Sequence, residues 1–282
     1  MSKAAENTAE IVAFSLRGGA GALAGWVSAP PPGTATRGTA VLVPGFTGSK
    51  EDFEAMLPLL AQAGFRCVAY DQRGQWQSEG SDDPAGYTLT GFASDLLGVV
   101  DQVADGEPVH LVGHSFGGYV SRAAVVADSS KFRSLTLLAS GPSSVRDINF
   151  PPPQLVAQVI EAGGQQAIWD QMSSAMNALA AVPPAKLEFL HNRILATEKA
   201  NLLGILRIME TLVEDAAALR ASALPILIAY GDTGDLWAPA IHEQFARDLN
   251  ARTAVYPGAG HLPNEERPHQ VCTDLTTFWT TP

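Results

Sequence analysis

The chain has 282 residues, 46% hydrophobic and 17% charged, which is enough apolar material for a sizeable core and carries no compositional mark of disorder. A formal net charge of -11 argues against nucleic acid as a partner, because phosphates call for clustered Lys and Arg. No run of roughly 18 apolar residues occurs, so no membrane span is expected.

In chain order, the first apolar segments are Ile11 to Leu16 and Ala22 to Val27, joined by Arg17-Gly18-Gly19-Ala20-Gly21. Those glycines loosely fit a dinucleotide fingerprint. A second strand and the prolines 30 to 32 follow in place of a helix, and no acidic residue occurs between Glu10 and Glu51 to hold a ribose. A hairpin turn is expected instead. Strands are then expected at Ala40 to Val43, Arg66 to Tyr70, Pro108 to Val112, Leu135 to Ala139, Ile226 to Tyr230 and Thr253 to Tyr256. Helical periods separate most of them, the pattern of a mostly parallel sheet with helices on both faces.

The alternation breaks between the sixth and seventh strands. Residues 145–221 show no strand pattern but carry helical runs at Leu155 to Ala162, Gln165 to Leu179, Lys186 to Thr197 and Ala200 to Val213. They are expected to form an inserted helical cap on a core made of residues 1–144 and 222–282. Pro151-Pro152-Pro153 and Pro183-Pro184 punctuate the insertion, stiffening its entry points.

Three strand ends carry chemistry. The fifth runs into Gly113-His114-Ser115-Phe116-Gly117, a G-x-S-x-G turn between strand and helix. A serine hydroxyl is a weak nucleophile near neutral pH, and glycines on either side let strand and helix pass closely while Ser115 stands out of the backbone. The seventh strand ends in Gly231-Asp232-Thr233-Gly234-Asp235, which supplies carboxylates. The eighth ends in Pro257-Gly258-Ala259-Gly260-His261, which supplies a base.

Together these segments resemble the α/β-hydrolase superfamily, over nearly the whole sequence. Val43-Pro44-Gly45-Phe46-Thr47-Gly48-Ser49 is similar to the family's oxyanion loop, and Asp71-Gln72-Arg73-Gly74-Gln75-Trp76-Gln77-Ser78 to its D-x-R-G-x-G-x-S segment. Gly258-Ala259-Gly260-His261 with Glu266-Arg267-Pro268 is similar to its histidine loop and following helix. Two departures stand out: Pro44 where a His commonly precedes the oxyanion glycine, and Trp76 where the family has its second glycine, which suggests a bulkier wall near the site. The resemblance implies an eight-stranded sheet and the chain order Ser115, Asp235, His261 for nucleophile, acid and base. Asp235 is preferred because it precedes Pro239 by four positions, as in the family's acid loop. Asp232 is the alternative, with capping of its own turn as its ordinary role. The backbone NH groups of Phe46 and Phe116 would form the oxyanion hole, leaving their side chains free to wall an apolar pocket. Trp76, Trp169, Met172 and Met176 are candidates for that pocket, with Phe189 and Leu190 beside them.

The implied activity is hydrolysis of a small or medium, partly apolar carboxylic ester through an acyl-serine. Thioester, lactone or amide hydrolysis, carbon-carbon cleavage or lyase chemistry, and small-molecule sensing with the triad retained are alternatives on the same fold. The expected partner is a small acyl compound, with no cofactor. The polar stretch from Met1 to Glu10 lacks the apolar core of a signal peptide, and a cytoplasmic protein is expected. Cys67 and Cys272 read as reduced core residues. No metal site is expected: His110 and His114 have His-x-x-x-His spacing, but on a strand they would stand roughly 13 Å apart. His114 is expected to pack beneath the elbow, and His191, His242 and His269 to be structural or exposed helix residues. Arg73 is expected to tie loops together, and Asp95 to be a surface carboxylate.

Overall fold

The computed structural model describes residues 9–143, 148–179 and 182–281, with residues 175–179 described as backbone only. Eight strands form one sheet: β1 (Ile11–Gly18), β2 (Gly21–Ser28), β3 (Gly38–Val43), β4 (Phe65–Tyr70), β5 (Val109–His114), β6 (Phe132–Leu138), β7 (Ile226–Gly231) and β8 (Arg252–Tyr256). Their order is β1-β2-β4-β3-β5-β6-β7-β8, with β1/β2 and β2/β4 antiparallel and the rest parallel. All eight expected strands are present. Arg17 to Gly21 forms the hairpin turn, Gly18 pairing with Gly21.

The helices are α1 (Leu57–Gln62), α2 (Leu89–Val103), α3 (Phe116–Ala127), α4 (Pro153–Leu179), α5 (Pro184–Ala196), α6 (Lys199–Thr211), α7 (Ala216–Ala221), α8 (Pro239–Leu249), α9 (Pro263–Glu266) and α10 (Pro268–Thr280). Alternate strand residues face opposite helical layers, because successive side chains of a strand point to opposite faces. Val41, Val43, Leu111 and Leu135 pack toward α2 and α3, whereas Ala40, Leu42, Val112 and Leu138 pack toward α1 and α10. Cys67 and Cys272 are buried and unpaired in this second layer. Every residue of β5 and β7 is buried; β7 reads as an uninterrupted apolar run, and β5 as an apolar run broken by the buried His110.

Helices α4 to α7 enter between β6 and β7. Prolines stand in the first turns of α4 and α5, where their missing NH groups cost no helical bond. Helix α4 bends at Gly164, whose φ of 65° and ψ of -157° break the helical run. The expected start of the insertion, residue 145, lies outside the described residues. Helix α5 is tied to the sheet side by the ion pairs Arg193 to Asp52 and Lys186 to Glu265. Among the described residues, no helix is long and apolar enough to cross a membrane.

Candidate active site

Ser115 occupies the junction of β5 and α3 with φ 51° and ψ -119°, a backbone state that L-residues seldom adopt. Neighbouring contacts hold it there: its NH donates to the Leu138 carbonyl (3.0 Å), and its carbonyl accepts from the Gly118 NH (2.9 Å). A Cβ on Gly117 would lie 2.3 Å from the Val43 carbonyl oxygen, and one on Gly113 would lie 2.5 Å from that of Gly117. Glycine at both positions therefore lets β3, β5 and α3 converge beneath the serine.

The loop after β8 brings His261 over this turn, and the loop after β7 brings Asp235 behind it. Ser115 Oγ lies 3.0 Å from His261 Nε2, and His261 Nδ1 lies 2.7 Å from Asp235 Oδ1. A carboxylate only accepts, so Nδ1 carries the proton and Nε2 is free to accept from the serine. Burial pushes the Asp235 carboxyl up, but bonds from His242 and His261 outweigh it and hold the group at about 2. Asp235 is thus ionised throughout the neutral range. Asp232 is exposed and braces the two loops, accepting from Gly258 NH (2.7 Å) and Thr233 Oγ1 (2.8 Å).

His242, expected to be a structural or exposed residue of its helix, is fully buried, with Nε2 donating to Asp235 Oδ2 across 2.9 Å. Its one sequence signal is a separation of seven residues from Asp235, spanning Pro239 and the first turn of α8.

The loop from Pro44 to Thr47 passes against Ser115: a Cβ on Gly45 would lie 3.0 Å from the serine Cβ. Where the family commonly has His before that glycine, two glutamines from the Asp71 to Ser78 segment hold the loop. Gln72 Nε2 donates to the Pro44 carbonyl (2.9 Å) and Gln75 Nε2 to that of Gly45 (2.8 Å). Phe46 and Phe116 flank the serine, and both residues line the adjoining cavity.

That cavity encloses about 360 Å3 above Ser115 and His261. Tyr119, Phe150, Leu236 and Trp237 form its apolar walls, and α4 and α6 contribute Val156, Ile168, Met172 and Met209. Thr47 and Gln171 are its polar members besides Ser115 and His261, and among the described residues no Asp, Glu, Lys or Arg lines it. Of the four expected pocket residues, Met172 lies on the cavity. Trp76 lies outside it: at φ 45° the backbone turns this side chain toward α5, where its ring meets Phe189 edge-on and its Nε1 donates to Glu51 (3.2 Å). Trp169 also lies outside, stacked on His191 with ring centroids 4.9 Å apart. The side chain of Met176 lies outside the described residues.

Other expectations concern the supporting framework. His114 donates from Nε2 to the His261 carbonyl (2.8 Å), and burial, then the proximity of His261, holds its pKa down at about 4. Arg73 ties loops as expected, bonding to Asp95 and to the carbonyls of Gly86 and Gly91. Asp95 is not a surface carboxylate. It is buried, pairs with Arg73 and accepts from Gly19 NH, because it lies on the apolar stripe of α2 beside Phe92, Leu96 and Val99.

The profile of the alpha/beta hydrolase family matches residues 40–274. A protein named probable oxidoreductase EphD, from Mycobacterium tuberculosis, is 35% identical over 117 residues, 40% of this chain. The match spans only 19% of that longer protein. A non-heme haloperoxidase of Rhodococcus erythropolis is 28% identical over 250 residues, 83% of this chain and 89% of its own. Among solved structures, a thermophilic esterase from Thermogutta terrifontis shares the fold at a TM-score of 0.74 and 23% identity, covering 96% of this chain and 98% of that one.

Proposed function

The chain belongs to the alpha/beta hydrolase family, and from that premise we propose that it cleaves a small or medium, partly apolar carboxylic ester through an acyl-serine intermediate. The observation that carries the reading is the unbroken relay from Ser115 through His261 to Asp235 at the floor of an apolar cavity.

In the first half-reaction Ser115 Oγ attacks the ester carbonyl carbon while its proton passes to His261 Nε2. The carbonyl oxygen becomes an oxyanion, received by the backbone NH groups of Phe46 and Phe116, each such donor being worth about 3 kcal/mol in other hydrolases. Collapse expels the alcohol, which takes the proton from Nε2 and leaves the acyl-serine. Water then attacks the acyl carbon, gives its proton to Nε2, and the acid departs as Ser115 regains a proton. Asp235, ionised throughout, keeps the His261 ring oriented and stabilises its charged form.

The cavity's lack of acidic and basic side chains supports an uncharged substrate, and its aromatic and aliphatic walls support an apolar acyl or alcohol group. Residues 145–221 serve as the cap, roofing the site through Val156, Met172 and Met209 and limiting water. The two unpaired, buried cysteines fit a cytoplasmic setting.

A fluorophosphonate probe should label Ser115 stoichiometrically, and p-nitrophenyl esters from acetate to octanoate should be turned over. Ser115→Ala should abolish labelling and lower the rate on the order of 10⁴-fold or more. Labelling without turnover would favour a small-molecule sensor, and a Ser115→Ala variant keeping more than about a tenth of the rate would overturn the serine mechanism.

A further inference from the structure

We infer that His242 is a positioning residue of this same reaction, acting through Asp235 to fix the plane of the carboxylate and to moderate its hold on His261. The inference rests on the roles proposed above for Ser115, His261 and Asp235.

Asp235 receives three bonds. Leu236 NH (2.6 Å) and His261 Nδ1 (2.7 Å) both meet Oδ1, and His242 Nε2 (2.9 Å) meets Oδ2. Bonds to Oδ1 alone leave the carboxylate able to turn about its Cβ–Cγ bond. A donor on Oδ2 fixes the plane, and with it the direction in which Oδ1 holds the His261 ring.

The His242 ring is itself held firmly. It stacks on Tyr230 with centroids 4.4 Å apart and an interplanar angle of 12°, and it meets Trp237 edge-on at 5.9 Å. A histidine buried merely to fill space would pair both nitrogens or give way to an apolar side chain. Here Nδ1 has no partner among the described residues, and Asp235 is the hydrogen-bond partner of Nε2. A proton on Nδ1 would be buried without an acceptor, which leaves Nε2 as the protonated nitrogen.

The bond also has an electrostatic consequence. A donor on Oδ2 draws carboxylate charge away from Oδ1, so Asp235 stabilises a protonated His261 less than an unbonded carboxylate would. Removing that donor should make His261 a stronger base and move the acid limb of activity to higher pH. The other ionisable groups facing this cluster are His114, with its ring 5.1 Å from that of His261, and Tyr230 beneath His242. Asp52 acts on His114 and Glu243 on Tyr230, and Glu266 bonds the backbone on either side of His261. None of these groups is itself replaced in a His242 variant, and the phenylalanine variant keeps a ring against Tyr230.

The test compares His242→Phe, which keeps a stacked ring without a donor, with His242→Gln, whose amide nitrogen lies as many bonds from Cα as the histidine Nε2. The phenylalanine variant is expected to lower kcat about 10- to 100-fold, leave KM within about twofold and shift the acid limb upward by about half a pH unit or more. The glutamine variant is expected to recover most of the rate and return the limb to its wild-type position. A phenylalanine variant with wild-type kcat and an unmoved limb would overturn the inference. So would equal losses in both variants with the limb in place, the mark of packing alone. Nitrogen NMR of the unaltered enzyme needs no variant to fold: a protonated Nε2 on His242, with its proton moved downfield by the carboxylate, is expected, and an Nδ1–H tautomer would refute the donation. If Ser115→Ala abolishes activity while His242→Phe changes nothing, only this inference falls. If Ser115→Ala stays active, both readings fall.

Discussion

Arg193, on the inserted helix α5, donates to Asp52 Oδ1 in the turn directly after the loop that carries Phe46. The same Asp52 accepts from Ser49 NH at Oδ2 (3.1 Å) and from Asn264 Nδ2 at its carbonyl (2.8 Å), three residues beyond His261. Three parts of the site therefore meet at one buried residue, two at its carboxylate and one at its backbone. Arg193→Met would leave Asp52 charged and unpaired, a defect worth about 3–5 kcal/mol in buried pairs. A clear drop in the thermal midpoint is expected, with a fall in kcat as the Phe46 loop loosens. Lys186→Met removes the pair with Glu265, whose partners are 32% and 27% exposed, and should cost under about 1 kcal/mol. Equal thermal midpoints in the two variants would contradict this ranking.

The two carboxylates after β7 should separate cleanly. Asp235→Asn should lower kcat by roughly 10³- to 10⁴-fold, because the amide no longer sets the His261 tautomer. Asp232→Asn keeps an oxygen to accept from Gly258 NH and Thr233 Oγ1, so at least about a third of the rate should remain. Steady-state rates in the reverse order would reassign the acid to Asp232.

Chain-length selectivity should report on the roof of the cavity. Met172→Trp places extra volume where the side chain lines the cavity, and preference should move toward shorter acyl or alcohol groups. Trp169→Phe alters a ring stacked on His191 outside the cavity and should leave the profile unchanged. A panel of p-nitrophenyl esters decides between the two, and a shift confined to the Trp169 variant would reverse the assignment.

The sheet and the Ser115 turn were legible because both are written in local chemistry. Fully buried strands such as β5 and β7 read as mostly apolar runs, interrupted in β5 only by His110, and the loops at their ends hold the residues that carry chemistry. Asp235 could be located in the loop at the end of β7, and His261 in the glycine-rich loop after β8, without knowing their distance in space. The relations that the sequence does not display are tertiary. Nothing local shows that a histidine on α8 reaches back to Asp235, or that Gln72 and Gln75 hold the loop before Phe46. Trp76 departs from the expected cavity wall for a backbone reason: a position where the family has glycine takes φ 45°, and its ring meets Phe189. The burial of Asp95 was legible after all, since Phe92 and Val99 stand three positions before it and four after it on the same helix face.

The pH-rate profile should show one ionisation on its acid side. Asp235, held at about 2, and His114, held at about 4, each keep one charge state from about pH 5 upward, whereas His261 must offer a free Nε2 to take the Ser115 proton. Activity should therefore fall on acidification with a slope of one proton. A rate that stays flat down to about pH 4.5 in folded enzyme would exclude a histidine base.

His110 offers a test of stability away from the chemistry. Its ring stacks on Trp279 at 4.9 Å and meets Phe65 edge-on at 5.7 Å, and Nδ1 shares a 2.8 Å hydrogen bond with Ser134 Oγ. Burial, with Arg133 adding to it, lowers its pKa to about 4, against about 6.5 in an unfolded chain. Between those values the unfolded state binds the extra proton, so stability falls as pH drops through the window and levels off below about 4. His114 acts in the same direction. Asp71, raised to about 6 by burial despite its bond to Lys50, acts in the opposite one, because there the folded state binds the extra proton. A single urea titration of the native protein would mix all three, whereas a variant isolates one. His110→Phe keeps an aromatic ring against Trp279 and removes the titrating nitrogen. Its loss of stability between pH 7 and pH 4.5 should be smaller than the native protein's by about 2 kcal/mol, offset at both pH values by the unpaired Ser134 hydroxyl. Parallel pH dependence in the two proteins would mean that His110 takes up its proton without unfolding cost.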